Sequence, residues 1–470
     1  MSEHLGTEAR PLNVAIIGAG PSGFYAAGSL FAQKELHLRV DMFDRLPTPF
    51  GLVRYGVAPD HEKIKTVTKA YERTAADPRY RFFGHINFGT DITHADLRQY
   101  YDAIIYAVGA QSDRRLNIPG EDFAGSISAT EFVAWYNGHP DYVDLDVDLS
   151  HDNVVVVGVG NVAMDVARIL AKTTDELKVT DIADHALEVL AESRVKNIFV
   201  LSRRGPAQVK FTNPEIKEFG ELEDAEPVID PAELELDPLS AQEIANDKEA
   251  QRNIEIMRGF AQRPLQGKRR QVHFRFLVSP VEIIDDGAGK VGAVCIERNE
   301  LTPTLDGYLN ARGTGETFTI PAGMVLRSVG YKGVALPNVP YEERTGTIHN
   351  KDGRVIDRAA GTPIAGEYVV GWAKRGPSGV IGTNKPDAAD TVQRLLEDVP
   401  NLTPAPAADP TGIETLLQSR GLHYVTIEGW RVLDQFETMR GKDSGRPRIK
   451  LTTIEEMLQA IDEATRVMSG

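Results

Sequence analysis

The sequence predicts an α/β protein of two doubly wound, three-layer units, the second inserted into the first. Three observations predict it. An apolar strand runs into a glycine turn and a small-residue helix twice, at Val14-Ala-Ile-Ile-Gly18-Ala-Gly20-Pro-Ser-Gly23 and at Val154-Val-Val-Val-Gly158-Val-Gly160-Asn-Val-Ala163. Each unit closes on a further apolar strand and glycine turn, Tyr101 to Ala110 with Gly109 near its end, and Met324 to Gly330. A last strand of this kind, Gly366-Glu-Tyr-Val-Val-Gly-Trp372, returns the chain to the first unit. The expected division is 1–112 with 337–470 for the outer unit and 113–336 for the inserted one.

In the first unit, Gly18 makes the tight turn, Gly20 lets backbone approach a pyrophosphate, and Gly23 lets helix and strand close up. The small-residue helix, Ser22 to Gln33, then presents free N–H groups to that anion. Strand Val40 to Asp44 follows, and Asp44 lies about 20 residues beyond the motif, where a carboxylate accepts hydrogen bonds from an unmodified ribose. This site suits FAD or NAD. Next comes a long Pro/Gly-punctuated loop, Leu46 to His61, and a loop of that length in a compact domain points to function. His61, at its end, reads equally as a loop hydrogen-bonder or as a proton relay.

The second unit repeats the design with Ala163 in the third position. Its following strand ends at Val200-Leu-Ser-Arg203-Arg204-Gly205. An arginine pair at a surface is ordinarily unremarkable, but here it stands where a guanidinium fork grips a 2′-phosphate. This site suits NADP. Asp165, on the helix opened by the turn, either solvates that helix or pairs with His61. Two further stretches, Thr173 to Ser193 and Gly220 to Asn246, read as solvated surface. A chain holding two such dinucleotides is most simply an enzyme that passes reducing equivalents between them.

The returning strand leads through Gly376-Pro-Ser-Gly379-Val380-Ile381-Gly-Thr-Asn into a helix near Lys385-Pro386, with proline early in the helix. Trp372 and Gly379 to Ile381 thus sit where a ring system can be covered by an indole and met by backbone N–H groups. After a proline-rich break from Asn401 to Pro410, amphipathic patterns at Ile413–Arg420 and Ile454–Val467 predict two tail helices.

Composition excludes several classes. The chain has 470 residues, enough for two or three cores, and 41% hydrophobic with 26% charged content suits a globular protein. A net charge of −16 argues against a nucleic-acid binder. The single cysteine, Cys295, in an apolar strand and expected buried, cannot supply a redox disulfide, an iron–sulfur cage or a zinc site. No apolar stretch approaches the ~20 residues of a membrane span, and Met1 to Leu12 has no apolar signal core, so a cytoplasmic protein is expected.

Taken together, Gly18-Ala-Gly-Pro-Ser-Gly23, Phe50-Gly-Leu-Val-Arg-Tyr-Gly-Val-Ala-Pro-Asp-His61, Gly160-Asn-Val-Ala-Met-Asp165-Val-Ala-Arg168, Ser202-Arg-Arg-Gly-Pro206 and Gly371-Trp to Asn384 resemble the adrenodoxin reductase family, and most of all its actinobacterial-type ferredoxin–NADP reductases. The resemblance runs in order from Val14 to Asn384. It implies FAD contacts at Ala19, Asp44, Leu52, Phe88, Trp372 and Gly379 to Ile381, with Gly18, Gly20, Gly23 and Gly109 around them. It implies NADP contacts at Gly158, Gly160, Asn161, Val162, Ala163, Arg203, Arg204, Glu215 and Gly379, no metal, and His61 with Asp165 as the pair beside the flavin. Asp44 stands where many relatives carry glutamate, and Phe88 where a smaller aliphatic residue is common.

The implied activity is hydride transfer from NADPH to FAD, then single electrons to an acidic, ferredoxin-type iron–sulfur protein. Lys217, Arg252 and Lys268-Arg-Arg270 are the expected docking charges. A monomer is expected. The alternatives are an NADPH reductase of small quinones or dyes and a non-enzymatic NADP redox sensor.

Overall fold

The structure, a computed structural model, describes residues 4–305, 307–407 and 409–469. Those beyond them within the expected outer-unit ranges, 1–3, 408 and 470, lie outside the described residues.

Two large sheets organise the chain. The first has the strand order Asn350–Lys351, Arg354–Ile356, Pro363–Val369, Ala103–Tyr106, Leu12–Ile17, Leu38–Phe43, Tyr80–Phe83. Its last five strands are parallel, and the first two add an antiparallel edge. Leu12–Ile17 and Ala103–Tyr106 are buried at every residue, the unalternating pattern of a central strand covered on both faces. One face carries the helices Pro21–Phe31, Thr68–Ala75 and Asn384–Asp398, and the other a core around Phe43, Phe83, Ile104 and Tyr106. Because Pro363–Val369 pairs with Ala103–Tyr106, the returning strand completes the first sheet.

The second sheet runs Ser126–Ser128, Met324–Arg327, Asn153–Val157, Asn197–Leu201, Arg270–Arg275, Ala225–Ile229, all parallel. Helices including Ala129–Tyr136, Asn161–Ala171 and Lys248–Ala261 cover one face. An antiparallel three-stranded sheet, Val278–Asp285, Val291–Pro303 and Leu309–Pro321, covers the other through Ile283, Val294 and Ile296. The chain passes between the two units at Ser112–Asp113 and at Tyr331–Lys332, and these two segments pair antiparallel.

Three expectations are corrected at once. Thr173 to Ser193 is not a solvated insertion: Thr180, Asp181, Ile182 and Ala183 are buried, and Asp181 binds Lys65 at 2.5 Å and Lys450 at 3.3 Å. Burial would raise the Asp181 pKa, but Lys450 and Lys65 pull it down to about 2. Gly220 to Asn246 supplies an edge strand of the second sheet with Ala225, Ile229 and Leu234 in its core. Cys295 is half-buried rather than buried.

The tail also holds a third helix, Ile427–Asp443, whose buried residues are Ile427, Trp430, Leu433, Glu437 and Gly441. A glutamate and a glycine in the stripe hide its period. Glu437, fully buried, is paired with Arg54 at 2.6 Å, and Trp430 meets Phe50 edge-on with ring centroids 5.6 Å apart. The tail therefore holds the long Leu46–His61 loop in place from behind.

Candidate functional site

At the first glycine turn, the backbone forces two of the three glycines. Gly18 has φ +106°, and a Cβ there would lie 2.5 Å from the Ala107 carbonyl oxygen. A Cβ on Gly23 would lie 2.3 Å from the Gly18 carbonyl oxygen. Gly20 differs, because a Cβ there meets nothing within 4 Å. Its side is an open cradle, and helix Pro21–Phe31 begins beside it with no side-chain cap on its free N–H groups. Such a cradle fits the pyrophosphate of FAD.

Walls surround that cradle. The Phe50 N–H donates to the Ala19 carbonyl at 2.7 Å, and Gly51 brings its Cβ side within 3.0 Å of Gly20 Cα. Asp44 accepts from the Ala19 N–H at 2.8 Å and the Leu46 N–H at 3.0 Å, so its carboxyl ties the turn to the loop. Burial raises its pKa against these bonds. Leu52 opens the short helix after Gly51, Gly109 has φ +69° with open space on its Cβ side, and buried Phe88 meets Tyr106 at 6.0 Å. Gly20→Ala is expected to fold, since the added Cβ meets no protein atom within 4 Å, yet to retain below about 10% of the flavin of the wild type. Flavin absorbance per chain after purification measures this, and full occupancy would refute it.

The returning segment stands beside this turn, with the Cβ side of Gly371 2.7 Å from Ser22 Cβ. The Gly371 N–H donates to Asp387 at 2.6 Å, and the Trp372 indole N–H donates to the Ser378 carbonyl at 3.1 Å. Trp372 thereby lies 5.1 Å from Tyr331, a residue of the crossing between the units. Gly379, at φ +78°, and Val380 are exposed, and Ile381 is half-buried.

The second turn repeats the first. Gly158 has φ +133° with the Ser328 carbonyl oxygen 2.2 Å from its Cβ position, whereas Gly160 meets nothing within 4 Å. Ala163 is fully buried, Val162 is half-buried, and Asn161 Oδ1 accepts from the Thr212 N–H at 3.1 Å. Arg203 is exposed, and the Arg204 guanidinium lies 4.9 Å over the ring of Tyr308. Neither arginine pairs with a carboxylate among the described residues. Among the described residues both forks are therefore open to an anion, which fits an NADP 2′-phosphate.

Between the turns lies a dense ionic seam centred on Arg168, which is fully buried. Its guanidinium reaches Asp60 at 2.8 Å, Asp165 at 2.7 Å, Glu215 at 3.0 Å and Glu218 at 3.2 Å. Lys172 adds a second cation to Asp60 at 2.9 Å. His61 Nε2 lies 3.2 Å from Glu218 and Nδ1 3.7 Å from Asp165. Asp60 and His61 end the loop from the first turn, whereas the others belong to helices Asn161–Ala171 and Asn213–Glu218, the C-cap Lys172 included. The loop of one unit is thus fastened to the glycine-turn helix of the other.

Two fixed cations face four carboxylates, so the seam holds protons. Burial would raise Asp60, but Arg168 and Lys172 keep it far below the usual carboxylate range. Burial raises Asp165. Burial and the neighbouring Asp165 push Glu215 up to about 7 despite Arg168. Burial disfavours the His61 imidazolium, but the Glu218 hydrogen bond, with Asp165 and Asp60, outweighs both that and the Arg168 charge and raises it.

The signs follow from linkage. Glu215, raised on folding, contributes stability at low pH that is lost as pH climbs from 4.5 through about 7. His61, raised from 6.5, acts in the same sense at higher pH. Glu215→Gln removes one share: it should match the wild type at pH 5 and exceed it at pH 8 by on the order of 2 kcal/mol. Denaturant titrations of both proteins at the two pH values measure this, and a difference independent of pH would refute it.

Of the two alternatives for Asp165, the structure places it 3.7 Å from His61, whereas Arg168, Asp60, Lys172 and Glu218 are not singled out by the sequence. The pair Asp165 and Arg168, three apart on one helix face, was the available signal. Glu215 faces the seam, with its carboxylate on Arg168. The basic run is mostly spent on backbone: Lys268 bonds the Leu222 carbonyl, Arg269 the Ser193 carbonyl, and buried Arg270 the Val195 and Lys172 carbonyls. Arg252 pairs with Glu255 at 2.6 Å. Of the expected docking charges, Lys217 remains exposed with no carboxylate partner among the described residues.

Residues 12–202 match the model of the pyridine nucleotide-disulphide oxidoreductase family. The chain is similar to the NADPH-ferredoxin reductase FprA of Mycobacterium tuberculosis, with 48% identity over 462 residues, 96% of this chain and 99% of the relative. It is 38% identical to the mitochondrial NADPH:adrenodoxin oxidoreductase of Arabidopsis thaliana over 96% of this chain and 95% of that one. The solved structure of Mycobacterium tuberculosis FprA in complex with NADPH superposes with a TM-score of 0.90 at 47% identity, covering 96% of this chain and all of that one. No helix among the described residues is long and apolar enough to cross a membrane. The chain belongs to the family of NADPH-ferredoxin reductases that includes FprA and the adrenodoxin oxidoreductases.

Proposed function

We propose that this protein is an FAD-dependent reductase that takes electrons from NADPH and passes them to a ferredoxin-type iron–sulfur protein. The observation that carries this reading is the pairing of two glycine cradles across one seam, where the loop of the first ends on the helix of the second. We assign FAD to residues 1–112 and 337–470 and NADP to 113–336. The ladder between Ser112–Asp113 and Tyr331–Lys332, at the two chain crossings, supports that division.

In this reading, Gly18, Gly20 and Gly23 admit the FAD pyrophosphate, and Trp372 with Gly379 to Ile381 covers the ring. Gly158, Gly160 and Ala163 admit the NADP pyrophosphate, and Arg203 with Arg204 holds the 2′-phosphate. Bound FAD supplies the exchange between two-electron and one-electron chemistry, which no side chain here can perform. The protein's own part would be to hold and orient the two dinucleotides through these residues. His61 keeps a proton at Nε2 against Glu218, within reach of the seam and of the loop that walls the first cradle. With one cysteine in the chain, no disulfide relay is available.

The partner in this reading is acidic, and Lys217, on the seam-forming helix, is the docking charge best supported. The protein is read as a cytoplasmic monomer, which gel filtration of the flavin-loaded protein tests. The reading as a whole is tested by anaerobic mixing with NADPH and then with oxidised ferredoxin. Rapid bleaching of the flavin followed by ferredoxin-dependent recovery of its colour supports it. Recovery with quinones but not with ferredoxins would assign a quinone reductase, and binding without bleaching a redox sensor.

A further inference from the structure

The antiparallel sheet on the outer face of the second unit is more than a cover for its core. Its longest strands, Val291–Pro303 and Leu309–Pro321, form a hairpin arm that runs along the Arg203-Arg204-Gly205 turn and touches it at three points. At the base, the ladder slips between Glu297 and Asn299, and this irregularity frees the Asn299 side chain. The Asn299 amide then donates to the Arg203 carbonyl at 2.9 Å and to Ser279 Oγ at 2.7 Å. Further along, Leu301 Cδ1 lies 3.8 Å from the Cβ position of Gly205. Near the tip, the ring of Tyr308 lies under the Arg204 guanidinium at 4.9 Å.

The backbone around the pair is equally tied down. The Leu277 N–H donates to the Arg204 carbonyl at 3.1 Å, and the Asn299 N–H donates to the Leu277 carbonyl at 2.7 Å. Leu277 holds φ +54° to do so, a left-handed conformation that leucine rarely adopts. At the tip, Thr304 and Tyr308 close the turn on each other: the Thr304 N–H donates to the Tyr308 carbonyl at 2.8 Å and the Tyr308 N–H to Thr304 Oγ1 at 3.1 Å. Tyr308 is nonetheless 46% exposed, so packing alone does not account for its place.

We infer that the arm is part of the NADP site and that Tyr308 is a positioning residue, holding the Arg204 guanidinium flat so that its N–H edge faces the 2′-phosphate. The inference rests on the reading of Arg203 and Arg204 as the phosphate clamp. A guanidinium attracted to a ring uses its face and leaves its in-plane N–H fork free, whereas a carboxylate partner would consume that fork. Arg204 has the ring and no carboxylate among the described residues, the arrangement an anion site needs. Fixing the side chain beforehand also lowers the ordering cost on binding. Discrimination between NADP and NAD then depends on a residue about 100 positions from the arginines, on a different sheet.

The test is calorimetric titration of the flavin-loaded protein with NADP+, NAD+ and adenosine 2′-monophosphate, for the wild type, Tyr308→Ala, Tyr308→Phe and the double variant Arg203→Ala/Arg204→Ala. Tyr308→Ala should weaken NADP+ and adenosine 2′-monophosphate about three- to fivefold while NAD+ changes less than about twofold. Tyr308→Phe keeps the ring and should bind all three like the wild type. Unchanged NADP+ binding in Tyr308→Ala, or an equal loss for NAD+, overturns the inference. If the double variant lowers the NADP+ preference and Tyr308→Ala does not, only the role of Tyr308 fails. If the double variant leaves that preference intact, the clamp itself fails and this inference with it.

Discussion

Arg168→Met is expected to destabilise the protein by about 3–5 kcal/mol near neutral pH, the usual cost of removing one partner from a buried ionic cluster. The methionine fills similar space, so the loss is electrostatic. Asp60, Asp165 and Glu215 would keep their burial and lose the guanidinium that offsets it. Asp60 changes most, because its low pKa depends on Arg168 first and Lys172 second. Arg168→Lys should not rescue the protein, since a point charge on a flexible stem cannot reach four carboxylates as a planar fork does.

A pH signature separates this cause from a packing defect. Without Arg168, the folded-state carboxylates titrate above their unfolded values. Such groups give stability that is present below the unfolded pKa and lost as pH rises through the folded one. The deficit of Arg168→Met should therefore be small near pH 5 and large near pH 8. Chemical denaturation across that range measures it. A deficit below about 1 kcal/mol, or one equal at both ends, would refute the account. Because the same cluster ties the Leu46–His61 loop to helix Asn161–Ala171, the variant should also bleach its flavin more slowly with NADPH.

The parts of this site that were legible in the sequence are those whose chemistry is local. Gly18, Gly20 and Gly23 sit within one turn: the first is forced by the Ala107 carbonyl just past a strand of the same unit, and the third by the Gly18 carbonyl within the turn itself. Arg203 and Arg204 follow directly from the end of a strand. Arg168 was hidden because its partners come from a loop more than 100 residues earlier and from a helix some 50 residues later, and sequence spacing carries no sign of that convergence. The stretch Thr173 to Ser193 looked solvated because Asp181 is charged, yet its counter-ions Lys65 and Lys450 arrive from the other unit. Lys268 to Arg270 misled in the opposite sense. Their charge suggested a docking face, but the carbonyls ending neighbouring elements take up their N–H groups.

The second large effect concerns the double variant Arg203→Ala/Arg204→Ala, which should lose roughly 100-fold in affinity for NADPH and change little for NADH. Each charge-assisted hydrogen bond to a phosphate contributes about 1.5–3 kcal/mol, and the two forks together account for that factor. The folded protein should tolerate the change. Arg203 is exposed, Arg204 is half-buried, and neither holds a carboxylate among the described residues whose loss would leave a buried charge. If the two arginines hold the 2′-phosphate as proposed, the preference for NADPH comes from two side chains with no carboxylate partner among the described residues, which makes specificity separable from stability. Flavin bleaching at limiting nucleotide, run with NADPH and NADH on the same preparation, measures both affinities. Equal losses for the two nucleotides would mean that the arginines act on the shared pyrophosphate or on the fold, and the clamp would have to be sought elsewhere along the second sheet.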